Sequence, residues 1–258
     1  MTHEFDGKKY EKASSHQKEW GEKLIEELTL QGTERILDLG CGDGTLTARL
    51  SGLVPRGAAV GIDASQGMIE VAQQKRGKNL RFLLMDINDL DLAEEFDVVF
   101  SNATLHWVSD HRRLFRNVQS VLSANGVVRF NFAGDGNCSR FFKVVREAMV
   151  LPGFSRYFEQ FPWPWYMPFV AEYEALVGNS GFGSATVWGE NADRFFPDTE
   201  ALTLWIDQPS LVPFISRVPA RDKASFREFV VKRMIEETKQ SDGTCFETFR
   251  RINLFARK

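Results

Sequence analysis

The sequence predicts a doubly wound α/β fold: a mostly parallel, seven-stranded sheet with helical cap insertions. Three observations predict it. Short apolar runs rich in β-branched residues alternate with segments of helical periodicity. A glycine-rich turn follows the first run, and an acid closes the second. Strands that alternate with helices need right-handed crossovers, which set helices on both faces of a parallel sheet.

Residues 1–30 precede the first strand, read as helical from Ser14 through Leu28, and are expected to close as a lid over the carboxyl edge of the sheet. Strands are expected over 35–39, 58–62, 80–85, 96–100 and 127–132, with helices over 45–53, 65–75 and 110–122. Ser65, and either Ser109 or Asp110, can cap the last two helices. After Phe132 the rhythm changes. Helices over 139–150 and 171–180 flank the segment 161–169, FPWPWYMPF, whose three prolines rule out regular structure. A strand over 185–189 follows, then helices over 198–205, 209–216 and 221–239 and a last strand over 246–256. No internal repeat or low-complexity linker interrupts the chain. One domain over 1–258 is therefore expected: a lid over 1–30, a ligand-binding core over 31–132, cap helices with one core strand over 133–245, and a final strand in 246–258.

Composition narrows the function. The 258 residues are 43% hydrophobic, enough to bury a full core. A net charge of −3 and the lack of long basic runs give no attraction for a phosphate backbone, so nucleic acid is not an expected partner. No apolar run approaches the ~20 residues of a membrane span, and residues 1–12 carry no signal-like apolar stretch. A cytoplasmic protein without a membrane partner is expected, as a monomer or homodimer. Cys41, Cys138 and Cys245 fall in no metal-ligand spacing, so free thiols and no metal are expected. The 22 Phe and 6 Trp suit either an apolar ligand cavity or a Phe-rich core.

The first strand runs into Asp38-Leu39-Gly40-Cys41-Gly42-Asp43-Gly44, at the crossover where an open α/β sheet binds its ligand. Asp63 ends the second strand about twenty positions on, placed to accept from two ribose hydroxyls. The spacing is Gly-x-Gly-x-Gly rather than Gly-x-Gly-x-x-Gly, and Asp38 stands two residues before the first glycine. Asp38 and Asp43 would repel a pyrophosphate. They would welcome a cationic amino-acid head with a sulfonium. An NAD-dependent oxidoreductase, which Asp63 alone would fit, is opposed by that spacing.

The whole run resembles the cofactor signature of the class I S-adenosylmethionine-dependent methyltransferases, whose Rossmann-like fold this chain is expected to share. Met85-Asp86-Ile87 resembles the third-strand motif in which the acid accepts from the adenine amino group, and Met68 would pack on the ring. The resemblance further implies Cys41, Ala64, Ser101 and His106 beside the cofactor, and Tyr10 closing over its methionine end. The string 101–126, SNATLHWVSDHRRLFRNVQSVLSANG, with Tyr10, Gln17 and the C-terminal INLFARK, resembles trans-aconitate and juvenile hormone acid methyltransferases. Both families esterify carboxylates of small molecules and release S-adenosyl-L-homocysteine.

That chemistry needs no general base, because a carboxylate is already ionised at neutral pH. Gln17 and Trp107 are donors able to hold it without neutralising it, and the resemblance implies this role for both. His106 would serve as a base if the acceptor were a hydroxyl, and otherwise packs against the cofactor. N- and C-methylation, and a non-catalytic protein that only binds S-adenosylmethionine, stay open as alternatives. Trp163, Trp165, Tyr166 and Phe169 either wall an apolar pocket or pack the cap. The aromatic weighting favours an apolar acid. A polycarboxylate would require cations, with Arg140, Arg156, Arg194 and Arg217 as candidates.

Overall fold

A computed structural model describes residues 4–7, 9–10 and 14–258, apart from the side chains of Ser15 and Pro209. Parts of the expected lid therefore lie outside the described residues, namely 1–3, 8 and 11–13. The chain divides into two compact units: Met1–Asp135, Trp165–Glu190 and Arg251–Lys258 form the first, Gly136–Pro164 and Asn191–Arg250 the second.

The helices are α1 (Ser15–Glu26), α2 (Thr45–Leu53), α3 (Gln66–Ala72), α4 (His111–Val121), α5 (Ser139–Met149), α6 (Val170–Gly178), α7 (Thr199–Trp205), α8 (Val212–Ile215) and α9 (Ala220–Thr238). The strands are β1 (Arg35–Leu39), β2 (Ala58–Asp63), β3 (Leu80–Leu84), β4 (Phe96–Asn102), β5 (Leu122–Ala133), β6 (Ser184–Asn191), β7 (Arg194–Phe196), β8 (Cys245–Glu247) and β9 (Arg250–Arg257).

In the first unit seven strands make one sheet in the order β3-β2-β1-β4-β5-β9-β6. The five from β3 to β5 are mutually parallel, and β9 runs antiparallel to β5. Ile36, Leu37 and Leu39 of β1 are all fully buried, as a strand covered on both faces requires. Helix α4 shows how a flanking element is specified. Leu114, Phe115, Val118 and Val121 fall on one buried stripe, while Asp110 caps the first turn by accepting from Arg113 N at 2.9 Å. Ser65 does the same for α3 by accepting from Met68 N at 3.4 Å.

The strand Arg194–Phe196 was not expected, and among the boundaries that differ from the sequence reading two have a clear cause. Strand β5 starts at Leu122, directly after α4, not at 127. Leu122 pairs with Phe96 but Val127 pairs with Val98, so extra residues are absorbed in a bulge that apolar periodicity does not register. The expected final strand over 246–256 is in fact two strands. Residues Cys245–Glu247 pair with β7 in the second unit, whereas β9 joins β5 in the first. The cause is Glu247, whose buried carboxylate accepts from the backbone N–H of Arg140 and Phe141 at the start of α5, while Ser139 N donates to Thr248 Oγ1. Capping that helix turns the chain at Thr248 and ends the strand.

The second unit is built on α5 and α9 around the buried rings of Phe141, Phe214, Phe226 and Trp205. The segment 161–169 holds no helix or strand, as its prolines demand. Among the described residues no helix is long and apolar enough to cross a membrane.

Candidate active site

The glycine loop after β1 is bound to the end of β2. Gly40 N and Cys41 N both donate to Ile62 O, at 2.8 and 2.9 Å. Gly42 N donates to Asp63 Oδ2 and Ser65 N to Oδ1, each at 2.9 Å. Each Asp63 oxygen thus accepts a backbone N–H that fixes the carboxylate at the end of β2. Gly40 (φ +73°), Gly42 (φ +54°) and Gly44 (φ +76°) all occupy the left-handed region. At Gly40 a Cβ would stand 2.1 Å from Thr104 Cγ2, so no side chain fits. At Gly42 the nearest atom to a Cβ is Tyr10 Cε1 at 3.7 Å, which places Tyr10 beside the loop.

Acids crowd this crossover. Asp38 is buried, with Oδ2 accepting from Thr47 Oγ1 at 2.6 Å. Burial pushes its carboxyl up to about 7; the Thr47 hydrogen bond opposes the rise and the charges of Asp63 and Asp43 add to it. Asp63 is likewise raised by burial, against the lowering pull of the Ser65, Gly42 and Ala64 N–H groups. Asp43 behaves differently. Burial would raise it too, but the Lys18 ammonium at 2.8 Å and Thr45 N leave it below the usual carboxylate range. Its charge is therefore matched by Lys18, and the acidity facing a ligand comes from Asp38 and Asp63. Burial raises the Cys41 thiol well above its usual value, which keeps it a neutral packing group against Gly61. Met68 and Ile87 are buried next to this crossover on α3 and after β3. Asp86 Oδ1 accepts from Asn88 N at 2.8 Å and so caps the turn that follows β3.

The loop beyond β4 carries the second half of the site. Ser101 is fully buried, and its hydroxyl donates to Leu39 O at 2.8 Å, lacing β4 to the end of β1. Thr104 Oγ1 donates to Gly40 O at 3.0 Å. The His106 ring lies against Trp107 with centroids 5.5 Å apart, and its Nδ1 is enclosed without a hydrogen-bond partner among the described residues. Burial, then the positive charge of Arg251, hold its pKa well below the usual imidazole value. Trp107 packs on Trp165 at 5.3 Å and on Phe5 at 5.7 Å. Tyr166 N donates to His106 O at 2.8 Å, so Trp107, Trp165 and Tyr166 stand together beside His106.

Helix α1 supplies Gln17, whose backbone carbonyl accepts from Asn102 Nδ2 at 2.8 Å. Gln17 Oε1 and Asn102 Oδ1 are both buried without a hydrogen-bond partner among the described residues. One residue absent from the sequence reading enters here: Arg251 of β9 is buried, and its guanidinium stacks 4.5 Å over Trp20 of α1. Its Nε and Nη2 donate to Asn131 Oδ1 of β5, at 2.9 and 2.6 Å.

The remaining candidates, Phe169 apart, belong to the second unit. Trp163 packs edge-on against Phe142 and Phe214, with the Arg146 guanidinium 4.6 Å over its ring. Arg140 lies 4.5 Å over Phe246, Arg156 contacts Tyr157 and Asp222, Arg194 starts β7, and Arg217 lies 5.5 Å over Phe161. Phe169, in the first unit, is 64% exposed.

An open α/β sheet whose first crossover is held by glycines and lined with acids defines a nucleoside-binding enzyme with a cationic ligand group. Comparison with known proteins agrees. Residues 36–126 match the methyltransferase domain family. A trans-aconitate 2-methyltransferase of Deinococcus radiodurans is 30% identical over 197 residues, covering 74% of this chain and 75% of that one. A malonyl-[acyl-carrier protein] O-methyltransferase of Bacillus anthracis is 36% identical over 130 residues; that match spans 48% of either chain, about half its length. The crystal structure of the YcgJ protein of Bacillus subtilis superposes with a TM-score of 0.64 at 18% identity, covering 94% of this chain and 98% of the other. The chain belongs to the class I S-adenosylmethionine-dependent methyltransferases. S-adenosylmethionine is its cofactor, and the residues present fit it: a glycine loop that holds backbone close to the ligand crevice, under-compensated acids for a cationic head, and an enclosed polar atom on His106.

Proposed function

We propose that this methyltransferase acts on a small-molecule carboxylic acid and converts one carboxylate to its methyl ester. The observation that carries the reading is the state of His106. Buried beside a guanidinium, its imidazole disfavours a proton, so it is poorly arranged to take one from a hydroxyl. A carboxylate acceptor asks for no such transfer. The relatives named for trans-aconitate and malonyl-[acyl-carrier protein] support the same reading.

In this proposal Asp38 and Tyr10 meet the amino-acid end of the cofactor, Asp63 the ribose, and Asp86, Met68 and Ile87 the adenine. When bound, S-adenosylmethionine supplies a methyl carbon on a sulfonium: a carboxylate oxygen forms the new O–C bond, the S–C electron pair returns to sulfur, and S-adenosylhomocysteine is released. Gln17 and Trp107 hold the reacting carboxylate through neutral N–H groups, which leave its nucleophilic charge intact. The aromatic group of Trp107, Trp165 and Tyr166 excludes water, and holding the acceptor oxygen in place contributes up to ~7 to 11 kcal/mol. A mass-spectrometric screen of carboxylic acids with purified protein and S-adenosylmethionine tests the reading. A gain of one methyl on a carboxylate supports it; methylation confined to amines or alcohols refutes it.

A further inference from the structure

We infer that Glu4 is a positioning residue of the reaction: its carboxylate latches the N-terminal segment across the ligand crevice, so that the cofactor enters and leaves only while this latch is open. The segment comprises residues 4–7 together with Tyr10.

The latch is a set of hydrogen bonds to one carboxylate. Glu4 Oε1 accepts from Gly67 N at 2.7 Å and from Ser65 Oγ at 2.9 Å, and Oε2 accepts from Gln66 N at 3.2 Å. Ser65 Oγ in turn accepts from Phe5 N at 3.3 Å. Two backbone N–H groups that open α3, and have no partner within the helix, are thus satisfied by a residue 62 and 63 positions earlier. Ser65 also ties the latch to the crevice, because its own N–H holds Asp63 Oδ1.

The sequence makes room for this contact. Gly67 lies in the first turn of α3, where alanine would suit the helix better. A Cβ there would stand 2.4 Å from Phe5 O. From the other side, a Cβ at the buried Gly7 would stand 2.5 Å from Gly67 O. Neither glycine has a positive φ, so the close approach of two backbones, not a special conformation, excludes a side chain at both positions.

The segment touches three strand ends. Glu4 and Gly7 dock just beyond β2, and Phe5 packs edge-on against Trp107 beyond β4, with ring centroids 5.7 Å apart. Tyr10 N donates to Asp6 O at 2.9 Å, a helical turn that delivers Tyr10 to Gly42, beyond β1. The sheet order is β2-β1-β4, so β2 and β4 lie two strand spacings apart, ~10 Å, with the ligand crevice of an open α/β sheet between them. A chain fixed at both margins and at the glycine loop spans the mouth of that crevice. Burial, then the charges of Asp43 and Asp63, raise the Tyr10 phenol above its usual value, as its place among the crevice acids requires.

A cofactor seated against those acids cannot pass while the segment is docked. Glu4 itself is exposed, and water can replace its partners, so the latch opens without disturbing the core. Docking also sets Phe5 against Trp107, which couples cofactor closure to the donor assigned to the acceptor; that link alone rests on the carboxylate reading above.

The test measures exchange of radiolabelled S-adenosylhomocysteine with no acceptor present. Glu4→Ala and Gly67→Ala attack the same contact from its two sides, and each should raise the release rate by about fivefold or more and raise the association rate as well, so that Kd changes less than either rate. A contact that merely binds the cofactor would speed release and leave association unchanged. Phe5→Ala keeps the backbone contacts and should leave release within about twofold of wild type, while lowering kcat/KM for any acid that is methylated. Release within about twofold of wild type in either latch variant overturns the latch, and faster release with unchanged association overturns the gate. Exchange rates that respond as expected, in a protein that methylates no carboxylic acid, overturn the functional reading and leave the latch standing. Glu4→Ala alters an exposed side chain, which keeps the test available if Gly67→Ala fails to fold.

Discussion

The Thr104 hydroxyl donates to the Gly40 carbonyl at 3.0 Å, tying the loop beyond β4 to the glycine loop beyond β1. The contact is possible only because residue 40 has no side chain: its φ is +73°, and a Cβ there would stand 2.1 Å from Thr104 Cγ2. Gly40→Ala should therefore cost roughly 2 to 4 kcal/mol of stability, from backbone strain and overpacking together. It should also weaken S-adenosylhomocysteine by tenfold or more, since the loop must move. Urea denaturation and calorimetry check both; binding within twofold of wild type would show that the loop tolerates the shift.

Asp38 makes cofactor binding depend on pH. In the free protein its carboxyl is raised to about 7 by burial, with the neighbouring charges of Asp63 and Asp43 adding to the rise. Binding a cationic amino group favours the ionised form and lowers that value, so protons are released on binding and affinity rises with pH up to about 7. Below that point each pH unit should cost up to about tenfold. The stability of the free protein moves the other way. Because the folded state holds a proton on Asp38 that the unfolded state gives up near pH 4, this group's contribution declines as pH rises from about 4 to 7. Titrations at pH 5.5, 6.5 and 7.5 in buffers of different ionisation enthalpy would reveal the proton release; Asp38→Asn should remove it.

Local pattern carried most of the sheet and half of the site. The run from Asp38 to Gly44 declares a tight, ligand-facing turn because its glycines and acids sit within seven residues, and Asp63 falls at a strand end that periodicity locates. Long-range pairings were not legible. Nothing near Arg251 in sequence announces Asn131, 120 residues away, or the Trp20 ring beneath it. The Lys18 partner of Asp43 was equally hidden, although a lysine on the lid helix was the available clue. The break in the last strand depends on Glu247 capping α5, a contact between residues 106 apart.

His111 is a buried strut that should set an acid limit on folding. Its Nε2 lies 3.0 Å from Leu105 O and its Nδ1 3.0 Å from Tyr173 Oη, so the neutral ring donates from Nε2 and accepts at Nδ1. Burial lowers its pKa to about 4, against the raising effect of the Leu105 carbonyl. Because the folded value lies below the unfolded value of about 6.5, its stabilisation is complete above about 6.5 and is lost as pH falls toward 4. The loss should reach roughly 3 kcal/mol, and His111→Gln should flatten that part of the profile. Unfolding midpoints in urea between pH 4 and 7.5 check it, and an unchanged slope in the variant would assign the acid sensitivity to other groups.

Gln17 and Trp107 separate positioning from cofactor binding. Gln17 is buried on α1, and Trp107 packs between Phe5 and Trp165. If the two hold the acceptor, Gln17→Ala and Trp107→Phe act on the aligned complex. Removing one neutral hydrogen bond to a charged group costs ~1.5 to 3 kcal/mol, or roughly ten- to hundredfold in kcat/KM. The affinity for S-adenosylmethionine should change by less than twofold. Trp107→Phe keeps an aromatic ring while removing the indole N–H with the five-membered ring, so a loss of turnover with retained melting temperature assigns the loss to the hydrogen bond and not to the packing. Parallel losses of turnover and cofactor affinity would move both residues into the cofactor site instead.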